Sequence, residues 1–242
     1  METGHRFYRD WVQSALPWRF SIVEAESDLL VVCDAPLEGL AREALAAARA
    51  TLRSWIERDE LFGASLLPHH VPTEAPGIVG RMAAAGATFG VGPMAAVAGA
   101  VAAEVGRAML RGGAGAVVVE NGGDIFARTS EPLRLALWAG DGSPFAGRLV
   151  FEIDARAGIG IATSSGRVGP SLSFGRADAV AALHPDAAFA DAAATALANE
   201  VQGPDDVATI VERERARGRL AGLVVACGDR LGLFGELTLV GG

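Results

Sequence analysis

Apolar side chains recur along the chain with two different periods, and these periods predict both helices and strands. Residues 36–61 carry apolar side chains at three- and four-residue intervals, which predicts one long helix. Residues 18–32 alternate and then become continuously apolar, with a polar break at 26–28, which predicts a β-hairpin. Helical patterns also predict three later helices, over residues 93–111, 186–199 and 204–217.

Short apolar runs bounded by turn-forming residues predict the remaining regular structure as strands. These runs cover residues 116–120, 125–128, 133–138, 149–153, 159–163, 177–182, 222–226 and 231–234. Three prolines within residues 68–76 predict an irregular connection. Mixed, mostly antiparallel sheets with long small-residue helices favour an α+β fold. Because no linker divides the sequence, we expect a single domain over residues 1–242, with room for two lobes.

Composition then removes several functions. Half of the residues are hydrophobic (50%), the net charge is −8, and every basic residue is arginine, so no lysine is present. Schiff-base catalysis and a phosphate-binding lysine are therefore excluded. An acidic chain without basic runs is also a poor partner for nucleic acid, so we expect none.

Neither the start of the chain nor its uncharged stretch predicts a membrane partner. The first ten residues are too polar for a secretion signal. Residues 82–103 carry no charge, but they are mostly alanine and glycine and contain Pro93, which favours a buried helix over a membrane span. Cys33 and Cys227 lie in or beside apolar runs, as buried thiols do. We therefore expect a cytoplasmic protein.

Two glycine-containing turns are candidates for ligand binding. Gly92 belongs to the segment Gly90–Pro93 before a predicted helix, where free N–H groups favour anions. A tight turn with proline at the helix start explains the same residues. The second turn is Asn121-Gly122-Gly123-Asp124, preceded by Glu120. It has the sequence of a hairpin turn, and its carboxylates could also border a ligand.

Two further segments carry oxygen-rich side chains. Thr163-Ser164-Ser165-Gly166-Arg167 ends a predicted strand with hydroxyl groups and one cation, which suits a phosphate or carboxylate and equally a polar turn. No His–Asp pair lies nearby in sequence to make a serine a nucleophile. Asp191 and Thr195 share one helix face among small residues, and a hard cation such as Mg²⁺ could bind there. Capping or solvation explains that pair as well.

The histidines do not have the spacing of a metal site. His69 and His70 lie in the proline-rich connection, and His184 precedes a predicted helix. We treat them as non-ligands, although a loop histidine near a site could perform acid–base work.

Taken in order, these segments resemble the ApbE-like superfamily, and most of all its uncharacterised cytoplasmic branch without a lipoprotein leader. The resemblance spans about residues 80–200. It implies a cleft for a flavin or another phosphate-bearing small molecule. Transferases of the family split FAD with Mg²⁺ and attach FMN to a protein hydroxyl. The resemblance implies that Asp191 and Thr195 ligate the metal, with a carbonyl near Gly92, while the turns at 121–124 and 163–167 bind the cofactor.

The chain departs from the transferases in two segments. They carry Ala-Lys-Gly where this chain has Val91-Gly92-Pro93-Met94, and a His…Asp-Pro-x-x-Gly motif where it has residues 168–178. Three hypotheses follow: a Mg²⁺-dependent enzyme acting on FAD or a related ester, a non-catalytic small-molecule-binding protein that has lost flavin transfer, and a structural scaffold. Small-residue helix faces are also compatible with a homo-oligomer.

Overall fold

A computed structural model describes residues 15–140, 142–147, 149–166 and 175–240. Within these ranges the chain forms six α-helices and eleven strands, which confirms the α+β prediction. The helices are α1 (Glu38–Ile56), α2 (Glu60–Ala64), α3 (Gly77–Phe89), α4 (Val97–Arg111), α5 (Ala187–Glu200) and α6 (Asp206–Arg217). A 3₁₀ turn, Pro93–Ala96, leads into α4.

The strands form two antiparallel sheets. The strands are β1 (Trp18–Glu24), β2 (Ser27–Cys33), β3 (Val117–Asn121), β4 (Asp124–Arg128), β5 (Leu133–Leu137), β6 (Leu149–Ile153), β7 (Ile159–Ser164), β8 (Ala179–His184), β9 (Gly222–Cys227), β10 (Arg230–Gly235) and β11 (Leu237–Leu239). Eight of them make a sheet of order β1-β2-β3-β4-β7-β8-β9-β10, and the other three make a sheet of order β11-β6-β5.

The large sheet separates two apolar layers, and alternate residues of its strands point to each layer. In β8, Val180 and Ala182 pack in the layer that contains α5 and α6. Ala181 and Leu183 of the same strand pack with the small sheet on the opposite face. Helices α4 and α5 both lie against the central strands β4 and β7. This three-layer arrangement brings the first turn of α4 close to the end of β3 and to α5.

Two predictions about the helices need correction. The helix predicted over residues 36–61 ends at Ile56. A separate short helix follows because the Asp59 side chain accepts a hydrogen bond from the Phe62 N–H and so caps α2. The uncharged stretch 82–103 is shared between α3 and α4, since Gly90 ends α3 in the left-handed conformation with φ of 78°.

Close approach of α4 to its neighbours depends on glycine. A Cβ on Gly99 would lie 2.2 Å from the Ala187 carbonyl oxygen of α5, and one on Gly106 would lie 2.1 Å from the Phe126 ring. The segment Pro93–Arg111 is long and apolar enough to cross a membrane, with a mean hydropathy of 1.2, but 56% of that window is buried inside the protein. Its small residues therefore serve helix packing in the core.

Candidate functional site

Three of the predicted segments meet at the first turn of α4. The Asp191 Oδ2 atom, on α5, accepts a hydrogen bond from the Gly99 N–H at 2.9 Å. The Asn121 side-chain amide, at the end of β3, donates to the Ala98 carbonyl oxygen at 3.1 Å. The third segment is Gly90–Pro93, which leads into α4 through the 3₁₀ turn Pro93–Ala96. These contacts join residues that are 92 and 23 positions apart in sequence.

Asp191 is a buried carboxyl group with an unusual protonation equilibrium. Its exposed fraction is 8%, and its neighbours along α5 are alanines. Burial raises the pKa of Asp191 to about 7, although the N–H groups of Gly99 and Ala98 act in the opposite direction. A buried carboxyl group with so high a pKa costs stability whenever it is ionised. Such groups are frequent at functional sites.

The donor set around Asp191 fits Mg²⁺ only together with a ligand. Thr195 is half-buried and lies one helical turn from Asp191 on α5. Within the described ranges, no group of three His, Cys, Asp or Glu side chains could hold a metal ion. Mg²⁺ is commonly bound by one or two carboxylates together with substrate phosphates and water. One carboxylate and one hydroxyl group satisfy that pattern when a phosphate supplies the other oxygens.

The glycine turn between β3 and β4 is held by two side chains. The Glu120 Oε1 atom accepts from the Gly123 N–H at 2.9 Å, and the Thr163 hydroxyl donates to the Gly123 carbonyl oxygen at 3.2 Å. Gly122 and Gly123 have positive φ angles of 71° and 104°. A Cβ on Gly123 would lie 2.7 Å from the Thr163 hydroxyl oxygen. The structure thus joins two of the predicted segments, with Thr163 and Glu120 as supports of the turn.

The strand register divides the remaining polar residues between the two sheet faces. Asn121 pairs with Asp124 across the turn, on the face that α4 covers. Asp124 is 9% exposed. Thr163 lies on the opposite face with Glu120, whereas Ser164 follows it on the helix-covered face.

The segment after β7 returns close to its own starting point. Ser165 and Gly166 are half-buried, and the Gly166 N–H donates to the Ala177 carbonyl oxygen at 2.9 Å. A Cβ on Gly166 would lie 2.3 Å from the Gly175 carbonyl oxygen, and one on Gly175 would lie 1.8 Å from the Ala198 carbonyl oxygen of α5. These contacts place Gly166 and Gly175 near the end of α5. Arg167 lies outside the described residues.

Gly92 has a packing role that explains its identity. A Cβ on Gly92 would lie 1.8 Å from the Ser65 carbonyl oxygen and 3.1 Å from the Leu66 Cα atom. The Gly92 carbonyl oxygen accepts from the Ala95 N–H at 3.1 Å within the 3₁₀ turn. This packing within the chain accounts for the glycine by itself. The contact of Gly92 with a ligand or metal stays a prediction.

The His184 side chain packs against the start of α5 and is hydrogen-bonded to it. Its Nδ1 atom accepts from the Asp186 N–H at 2.9 Å, and its ring stacks on Phe189 at 4.9 Å between centroids. Burial lowers the pKa of His184, against the opposing effect of Asp186. A separate surface groove of about 660 Å³ lies between α6 and β10, and none of the predicted site residues lines it.

Comparison with solved structures first defines the class of fold. The apo form of the flavinyl transferase ApbE from Pseudomonas stutzeri has a TM-score of 0.55 and 14% sequence identity, covering 90% of this chain and 93% of that one. The flavin transferase ApbE from Vibrio cholerae has a TM-score of 0.54 and 12% identity, covering 90% of this chain and 96% of that one. At these identities the likeness shows the fold alone, which is ApbE-like.

Sequence relatives then identify the family. A family model described as "AbpE bacteria" matches residues 9–220. A UPF0280 protein of Methanocella arvoryzae is 39% identical over 216 residues, covering 89% of this chain and 87% of that protein. A UPF0280 protein of Methanothrix thermoacetophila is 43% identical over 204 residues, covering 82% and 83%. The chain therefore belongs to this ApbE-like family, which confirms the resemblance inferred from its motifs.

Proposed function

We propose that the protein binds FAD or a related flavin phosphoester at the first turn of α4, together with Mg²⁺, and cleaves its pyrophosphate. The observation that carries this proposal is the buried Asp191 carboxyl group, which meets Asn121 and the α4 backbone at one point. The flavin transferases that share the fold support a flavin ligand. The predicted cytoplasmic location, single domain and self-association stay predictions.

Each group of site residues has a separate role in binding the metal or the ligand. Asp191 and Thr195 would hold Mg²⁺, and the ion would neutralise a pyrophosphate and polarise its scissile bond. The turn at 121–124, fixed by Glu120 and Thr163, would present its backbone to the ligand. Ser164, Ser165, Gly166 and Arg167 would contact the phosphates. Because Asp191 must be ionised to bind a cation, metal binding releases its proton near neutral pH.

The alternative is a small-molecule-binding protein that does not cleave its ligand. The sequence favours it at two points, since lysine is absent and no histidine lies between His70 and His184. This chain therefore lacks the lysine and the histidine of the two motifs that the transferases carry. This alternative retains FAD binding and predicts no product.

Thermal melts and product detection on the same protein separate these functions. FAD should raise Tm more with Mg²⁺ than with EDTA, and FMN and AMP should accumulate when Mg²⁺ is present. Binding without product would establish the alternative. Identical melts with and without FAD would contradict both, and Asp191→Asn is the variant that should lose the Mg²⁺-dependent part.

A further inference from the structure

Asp59 and His69 form a hydrogen-bonded pair in the connection between α1 and α3. The His69 Nε2 atom lies 2.8 Å from the Asp59 Oδ2 atom. The other Asp59 oxygen, Oδ1, accepts from the Phe62 N–H at 3.2 Å, so the carboxylate is fixed at both oxygens. The His69 ring also meets the buried Phe62 ring edge-on, with 6.4 Å between centroids and 76° between planes. The imidazole therefore has a defined position.

This pairing leaves His69 with one basic nitrogen. A carboxylate can only accept, so in the neutral imidazole Nε2 carries the proton and Nδ1 has the free lone pair. Within the described part of the chain, no hydrogen bond to His69 Nδ1 is formed. The His69 side chain is 22% exposed, which gives solutes access to it. A histidine that is oriented by a carboxylate and keeps one free nitrogen is the usual arrangement of a general base.

The connection that carries the pair contacts the turn that leads into α4. The same connection contains Ser65 and Leu66, whose backbone is in direct contact with Gly92. Helix α2, which Asp59 caps, packs against the 3₁₀ turn Pro93–Ala96 that leads into α4. A tight backbone contact thus joins the connection that carries His69 to the turn before α4, the helix whose Gly99 N–H donates to Asp191.

The other histidines are less suited to take a proton. The chain contains four histidines in all. The His184 Nδ1 atom is engaged by the Asp186 N–H, and its ring is stacked on Phe189. His70 is exposed and has no carboxylate that orients it in the described structure. His5 lies outside the described residues.

We propose that His69, oriented by Asp59, is the general base of this site; this inference rests on the proposed function. In hydrolysis of FAD, the His69 Nδ1 atom takes a proton from water while the water oxygen bonds to the phosphorus of the FMN half. The bond from that phosphorus to the bridging oxygen breaks, and its electron pair leaves with AMP. The products are FMN and AMP, and no oxidant or reductant is required.

The test compares His69→Gln with the matched variant His70→Gln on the full chain. His69→Gln should lower kcat for FMN release by about 100-fold or more, because general bases contribute factors of about 10² to 10⁴. KM for FAD and the FAD-induced rise in Tm should stay near the wild-type values. His70→Gln should match wild type in all three. Asp59→Asn should lower kcat with little change in KM, since it disturbs the tautomer of His69.

A second measurement does not depend on turnover. The His69 and His70 ring signals can be assigned in NMR spectra with the two Gln variants, and the His69 signals should shift when FAD and Mg²⁺ are added. The His70 signals should not shift. If wild type binds FAD but the His69 signals stay unchanged and His69→Gln keeps full kcat, the inference is overturned and the proposed function stands. If wild type shows no FAD-dependent change in Tm, both are overturned.

Discussion

The high pKa of Asp191 predicts that this residue weakens the protein as the pH rises. A free aspartate has a pKa of about 3.9, whereas burial raises the pKa of Asp191 to about 7 in the folded protein. Between these values the folded state binds a proton that the unfolded state has released. Stability should therefore fall as the pH rises through this window and level off above about pH 7.

The magnitude follows from the size of the shift. At pH 5 the proton held by folded Asp191 is worth about 3 kcal/mol, and at pH 8 it is worth almost nothing, taking about 1.4 kcal/mol for each pKa unit. Asp191→Asn has no charge at either pH, and its amide oxygen can still accept from the Gly99 N–H. Relative to this variant, the wild type should lose about 3 kcal/mol between pH 5 and pH 8 in the absence of metal and ligand.

Urea denaturation of both proteins at the two pH values measures this difference. With an m value of about 3 kcal/mol/M, the wild-type midpoint should move by about 1 M relative to the variant. Asp34→Asn is the matched control, because Asp34 also accepts from backbone N–H groups but is exposed. If the free energies of unfolding of wild type and Asp191→Asn differ by the same amount at both pH values, burial does not raise the pKa of Asp191.

Four further substitutions test the packing of the fold and the supports of the site. Gly99→Ala should lower stability by about 1–3 kcal/mol, because its Cβ would lie 2.2 Å from a carbonyl oxygen of α5. Gly80→Ala has open space around it and should raise stability by up to about 1 kcal/mol. Equal melting temperatures of these two variants would contradict both expectations. Glu214→Gln should cost about 3 kcal/mol in urea denaturation, because the fully buried Glu214 side chain joins three arginines; an unchanged midpoint would refute this. Thr163→Val removes the hydroxyl group that donates to the β3–β4 turn, so the rise in Tm caused by FAD should become smaller. The Tm without ligand should change by only a few degrees. An unchanged FAD-induced rise in Tm would exclude a role for this turn in binding.

Local patterns in the sequence predicted most of the secondary structure. The hairpin of β1 and β2, the series β3 to β8 and the helices α4 to α6 all lie within a few residues of their predicted ranges. Only the second half of α3, within the uncharged stretch 82–103, was predicted as helical, because Gly77 and Gly80 lower the helix propensity of the first half. Strand β11 has only three residues and exists because it pairs with β6. Its length gives no signal in sequence.

The motif residues could be found in the sequence, but their partners could not. The pairing of Asp191 with Gly99, and of Asn121 with Ala98, depends on how α4 and α5 cross the sheet. The Asp59–His69 pair was also missed, because the predicted helix over residues 36–61 placed Asp59 inside a helix rather than at the start of α2. The spacing of Asp191 and Thr195 predicted that they share one helix face. The burial of Asp191, which raises its pKa, depends on tertiary packing and could not be predicted.

A titration of FAD with and without Mg²⁺ tests the central claim most directly. Wild type should bind FAD more tightly with Mg²⁺ than with EDTA at pH 8, and Asp191→Asn should show the same weak affinity under both conditions. Isothermal titration calorimetry measures both affinities at pH 8. Repeated at pH 6 in two buffers of different ionisation enthalpy, where folded Asp191 still carries its proton, it also measures the proton released on metal binding. An affinity that is independent of Mg²⁺ in the wild type, or a Mg²⁺ effect that survives in Asp191→Asn, would contradict the assignment of the metal to this carboxylate.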